Sequence, residues 1–219
     1  MTHTLSRVLA AFAFAAATGL ARAGEPTDQI RQTTDQILAI VQDPALQGDE
    51  HVAERERRMK LKIDARFDWP AMARSAMGRH WAGLTEAQRQ EFTGLFSDLI
   101  KKTYLAQLES YSGEKILYQG DRVDGKYGVA NVTVVTLRGT DIPVNYRMLR
   151  GSAEWQVYDV SIEGVSLVNN YRSQISALFD RYPYDGLITR IKSRLATPDT
   201  ETGGSKSAHP AYVPGRDNL

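Results

Sequence analysis

The stretch Ile142-Pro143-Val144-Asn145-Tyr146-Arg147-Met148-Leu149-Arg150 decides the fold. Ile142, Val144, Tyr146 and Met148 alternate with Asn145 and Arg147, a period of two that predicts a strand with one buried and one wet face. Pro143 suits an edge or a strand start, because it has no N–H to give a ladder. Working outward, Lys115–Val123, Tyr127–Leu137 and Trp155–Ile162 read as further strands. Asp124-Gly125, Gly139-Thr140 and Gly151-Ser152 mark the turns between them. Links this short predict a four-stranded antiparallel meander.

Beyond the strands the apolar period becomes 3.6. Ile30, Ile37, Leu38 and Val41 share one face of a helix over Thr27–Val41, stopped by Asp43-Pro44. Asp49–Lys62 reads as a charged, solvated helix. Asp68-Trp69-Pro70 caps and opens a short helix that ends at Gly78. Thr85 and Gln88 form a capping box for a long helix with Phe92, Leu95, Phe96 and Leu99 on one side. Helical spacing returns over Ser166–Phe179 and Asp185–Leu195. The predicted class is α+β: a curved four-stranded antiparallel sheet with helices from both ends of the chain against its apolar face.

The chain has 219 residues, 42% hydrophobic and 24% charged, which fits an ordinary folded domain. It has no cysteine, so disulfides, thiolate nucleophiles and cysteine metal sites are excluded. With 27 basic and 26 acidic residues there is no charge excess to neutralise a phosphate backbone, and no nucleic-acid partner is expected. Residues 1–23 read as a secretory signal peptide: a basic start, an apolar run over Val8–Leu20 shorter than the ~20 residues of a membrane span, and Ala21-Arg22-Ala23. Cleavage before Gly24 is expected, with a periplasmic destination. The folded domain is expected over 24–197, and 198–219, rich in Gly, Ser, Pro and charge, as a disordered tail.

Candidate catalytic motifs fail on their chemistry. Gly120 to Lys126 has phosphate-loop spacing, but Tyr127 stands where Ser or Thr is needed and a strand follows instead of a helix. Gly164-Val165-Ser166 resembles a nucleophile elbow, but Val168 replaces its second glycine, and Ser166 reads better as a helix cap. His51 and His80 have no partner at metal-site spacing, so neither a metal nor a cofactor is expected. Asp159, taken to share a strand face with Trp155 and Val157, is a candidate general base if it lies in an apolar cavity. An enzyme on a cone-shaped fold is therefore the alternative from another class.

Several runs carry a family likeness: Phe67-Asp68-Trp69-Pro70-Ala71-Met72-Ala73, Gly78-Arg79-His80-Trp81, Tyr111-Ser112-Gly113-Glu114-Lys115, Ile142 to Arg147 and, above all, Trp155 to Gln174. Over roughly Ile30–Leu195 the chain resembles the MlaC family of periplasmic phospholipid-binding, or toluene-tolerance, proteins. The resemblance implies an NTF2-like cone enclosing a deep apolar pocket for acyl chains, and a non-enzymatic shuttle. Its implied partners are the lipid-binding subunit of an inner-membrane ABC transporter and an outer-membrane lipoprotein complex, and its implied role is maintaining outer-membrane lipid asymmetry. A related branch carries hopanoids, and the motifs do not separate the two cargoes. A monomer is expected.

Physical chemistry supplies the need for such a carrier. At ~0.8 kcal/mol per methylene, two long acyl chains face a barrier of order 20 kcal/mol to cross water unaided. Candidate lining comes from the helices as Met72, Met77, Leu95 and Leu99, and from the strands as Val132, Val134, Val144, Tyr146, Val157 and Val160. Leu167, Val168 and Tyr171 complete it. Arg79, Arg147 and Arg172 are the candidates for contact with a headgroup or a partner.

Overall fold

The computed structural model describes residues 25–197, so the expected signal segment and tail lie outside the described residues. Helix α1 (Pro26–Val41) begins with proline in its first turn. Its Thr27 N–H is taken by the carboxylate of Asp121, far along the chain, at 3.0 Å. Two short 3-10 turns, Pro44–Leu46 and Asp49–His51, lead into α2 (Val52–Arg66). The charged helix expected from Asp49 thus starts later and runs on to Arg66. Helix α3 (Trp69–Met77) is capped as expected: Asp68 accepts the Ala71 N–H at 2.9 Å, and Gly78 ends it at φ 55°. Both bonds of the Thr85/Gln88 capping box are present at the start of α4 (Glu86–Glu109).

The sheet holds five strands in the order β1 (Lys115–Asp124), β2 (Tyr127–Val135), β3 (Asp141–Arg150), β4 (Trp155–Ile162) and β5 (Val165–Ser166). All pairings between them are antiparallel and the sheet stays open. The expected count of four is corrected by β5. Glu163 (φ 49°) and Gly164 (φ 84°) both adopt the left-handed conformation that a two-residue hairpin demands. Two residues then pair with Ser161 and Ile162 before Ser166 caps α5 (Leu167–Phe179), accepting the Asn169 N–H at 3.1 Å. Strand β2 stops two residues short of Leu137, because Thr136 closes the turn through its backbone N–H and its hydroxyl to Thr140. Pro143 stands near the start of β3, an inner strand. Helix α6 (Tyr184–Ala196) ends the described chain.

Two large apolar interiors result, beside a smaller cluster of Ile37, Met59 and Leu105 where α1, α2 and α4 meet. In the helical one, α3, α4, α5 and α6 bring together Met72, Phe92, Phe96, Tyr171 and Leu187, all buried. Phe96 stacks on Phe92 at 5.6 Å and meets the edge of Tyr171 at 5.4 Å. The other lies on the inner face of the sheet, where α1 crosses β1 and β2 and α5 meets β4. Arg66 joins them to α1. Its buried guanidinium donates to the Trp155 carbonyl at 2.7 Å, to Gln29 at 2.6 Å and to Thr33 at 2.9 Å, and burial lowers its pKa. Gln29 in turn accepts the Trp155 N–H at 2.8 Å.

Candidate functional site

Strand register arranges the inner face in rows. At one end Gly128, Met148, Val157 and Trp155 form a closed floor. A Cβ on Gly128 would stand 2.9 Å from Pro26 and 3.1 Å from Trp155, so only glycine lets the start of α1 seal it. Next come Ala130, Tyr146 and Val160, then Tyr118, Val132, Val144 and Ile162, and finally Ile116, Val134 and Ile142. Burial weakens along this series. The floor has no accessible surface, whereas Ile116, Val134, Ile142 and Ile162 are apolar yet only half-buried. Six residue steps of ~3.3 Å separate Ile142 from Met148, giving an apolar wall about 20 Å long. Acyl chains of one leaflet fill ~15 Å, half of a ~30 Å hydrocarbon core.

Bulges curve the wall. One interrupts β1 between Tyr118 and Asp121, and another interrupts the β3–β4 pairing between Arg147 and Met148. The wall carries two tyrosines. Tyr118 lies under the Arg31 guanidinium, 4.2 Å from its ring centre, and burial raises its pKa. Tyr146, deeper, is pushed up to about 12 by burial, with Tyr118 nearby adding to the effect. Among the described residues no His, Cys, Asp and Glu cluster could hold a metal, and no helix is long and apolar enough to cross a membrane. A separate depression of about 770 Å³ between α2 and α4 is lined by paired charges, including Lys60 with Glu56 and Lys101 with Asp98. Hydrocarbon would strip those charges of water, so it is no rival for an apolar ligand.

The structure divides the predicted lining. Val132, Val134, Val144, Tyr146, Val157, Val160 and Leu167 gather on the inner face of the sheet. Met72, Met77, Leu99, Val168 and Tyr171, with Leu95 packed against them, lie in the helical interior. The three arginines do not meet. Arg172 donates to the Ser75 carbonyl at 2.6 Å and packs beside Gly78, tying α5 to α3, and Arg79 pairs with Asp180 at 3.2 Å. Arg147 is half exposed on the outer face of the sheet, 3.8 Å from Asp159. Of the histidines, His80 stacks on Phe179 at 4.2 Å, and His51 precedes α2 beside Glu50.

Asp159 is corrected. The bulge flips the register, so Asp159 pairs with Arg147 and leaves the face that holds Val157 and Val160. Its carboxylate accepts the Ser166 hydroxyl at 2.7 Å and the Val168 N–H at 3.2 Å, which commits it to the start of α5. Sequence reasoning missed Ile116, Tyr118, Ile142 and Ile162 as wall residues, and Arg31 above them. Ile116 and Tyr118 carry the signal in their own alternation, and their pairing with Val134 and Val132 completes it.

Comparison with known proteins follows the same geometry. The family model described as MlaC protein matches residues 31–193. The intermembrane phospholipid transport system binding protein MlaC of Haemophilus influenzae is 25% identical over 127 residues, 56% of this chain and 59% of that protein. The match therefore spans less than two thirds of that relative. A phospholipid-binding protein of Ralstonia solanacearum, solved in complex with a phospholipid, superimposes with a TM-score of 0.70 and 26% identity. The match covers 79% of this chain and 98% of that one.

Proposed function

The chain belongs to the MlaC family, and from that premise we propose that it is a non-enzymatic phospholipid carrier, holding acyl chains against the inner face of the sheet and leaving the headgroup at the Ile116–Val134–Ile142 end. One observation carries the reading: an apolar wall about 20 Å long, sealed at one end by Gly128 and Pro26 and half-buried at the other. A wall filled as a closed core would bury its outer row too. The Haemophilus influenzae protein belongs to an intermembrane phospholipid transport system and the Ralstonia solanacearum protein was solved with a phospholipid bound, which favours that cargo over a hopanoid. Tyr146, Val134 and Val144 line the site in this reading, and the carrier travels between an inner-membrane transporter and an outer-membrane lipoprotein complex in the periplasm. Arg147, exposed on the outer face, is its proposed docking group, with Arg79 and Arg172 at a second patch by α3 and α5.

Lipid extraction from protein purified out of the cell envelope tests the cargo. Stoichiometric phospholipid, identified by mass spectrometry, is the expected result. A bound triterpenoid would move the reading to a hopanoid carrier, and protein free of any lipid would end it.

A further inference from the structure

Tyr146 presents an unusual combination. Part of its side chain is accessible, although it stands on the inner face of the sheet and packs against the buried apolar residues there. On a face covered by α1 and α5, accessible surface marks a place where that cover stands off from the strand and leaves space. Tyr158 makes the contrast: it is also partly accessible, but it stands on the outer face of the sheet, edge-on to Tyr127 at 6.3 Å. Among the described residues the Tyr146 hydroxyl makes no hydrogen bond, and the hydroxyl of neighbouring Tyr118 is buried without a partner as well. Ala130 beside it on β2 is too small to cover the ring.

In an empty carrier, water can enter the void and satisfy that hydroxyl. Hydrocarbon cannot, because a methylene chain accepts no hydrogen bond. Tyr146 lies four residues inward from Ile142, ~13 Å along the strand, so chain carbons, rather than the ester carbonyls near the mouth, come to rest beside it. Loading therefore removes the hydroxyl's water and returns nothing, a penalty that falls on the loaded state alone. Resting on the carrier reading, we propose that the Tyr146 hydroxyl weakens the protein's hold on acyl chains and thereby sets how fast the cargo is released. Phenylalanine would fill the same space without that penalty. A carrier built only to bind would lack the hydroxyl; one that must also hand its lipid over is served by it.

The test is Tyr146→Phe in the purified protein, loaded with phosphatidylethanolamine bearing a fluorescent acyl chain and mixed with acceptor vesicles of phosphatidylethanolamine and phosphatidylglycerol. Release should slow roughly tenfold, equivalent to ~1.4 kcal/mol. Tyr158→Phe, on the opposite face, should release at the wild-type rate. Wild-type release from Tyr146→Phe would overturn the proposal. Faster release would overturn it in the other direction, by assigning the hydroxyl to a contact with the bound lipid. Failure of wild-type protein to take up any labelled lipid would instead remove the carrier reading itself, and the proposal with it.

Discussion

The helical interior and the inner face of the sheet are made of the same kinds of side chain and behave as opposites. Among the helices, Met72, Met77, Phe92, Phe96 and Ile175 are shut away to 1% exposure or less, with rings interlocked at ordinary aromatic distances. Across the sheet, the row at Met148 is fully buried whereas the row at Ile142 is only half-buried. Polar anchors stand where the closed end of the wall meets the helices: Arg66, Gln29 and the Trp155 backbone form one buried node there. Hydrophobicity alone does not distinguish a core from a container. The difference lies in what stands opposite. A helix faces another helix at van der Waals contact, whereas a curved strand layer draws away from its cover as each bulge turns it.

That contrast is broken most directly by a pair of truncations. Phe96→Ala removes a buried ring packed against Phe92 and Tyr171 and should cost ~3–5 kcal/mol of stability, read by denaturant melts. Ile142→Ala, at the open end, should cost less than about 1 kcal/mol and instead lower the lipid that co-purifies. Equal losses of stability from the two would mean that the outer row is core, and the contrast between the two interiors would fail.

A second expectation concerns alkaline pH and is of intermediate size. The folded-state pKa of Tyr146 lies above its ordinary value of 10, at about 12, so the protein favours the neutral phenol. The contribution is whole below pH 10, where both states are protonated. It is lost as pH rises from 10 towards 12, because the unfolded chain releases its proton first. The loss should reach roughly 2 kcal/mol and be missing from Tyr146→Phe. Wild type and variant with superimposable melting profiles between pH 8 and pH 12 would place the ring in solvent, outside any cavity.

Much of this architecture was legible because its signals are local. Asp68, Thr85 and Ser166 cap their helices through bonds spanning three residues, and the period-2 run over Trp155–Ile162 marks β4 to the residue. The bulge opposite Arg147 was not legible, because it is a relation between two strands and leaves no trace in either alone. It alone turned Asp159 from a candidate base into a helix cap. The division of the lining had the same cause. Met72 and Ile142 are equally apolar in sequence, and only the distance to the facing layer separates a filled position from an accessible one. β5, two residues long, falls below any periodicity.

The smallest effect is expected where neither interior is involved, on the solvent face of α2. Glu54 accepts hydrogen bonds from Arg57 at 2.7 Å and from Arg58 at 2.7 Å, and these hold its pKa down from 4.5 to about 2. The sign follows from linkage. A carboxylate with a depressed folded pKa contributes fully above about pH 4.5, and that contribution disappears as pH falls towards 2. Water and salt screen the cluster, so Glu54→Gln should leave lipid content unchanged and shift the melting temperature only slightly at neutral pH and low salt. The shift should vanish in ~1 M salt, where the screening length is ~3 Å. Melts from pH 2 to pH 7 at both salt concentrations measure it. A loss as large as that of Phe96→Ala would show that α2 holds the two interiors together through its charged face, and not through the buried guanidinium of Arg66 at its end.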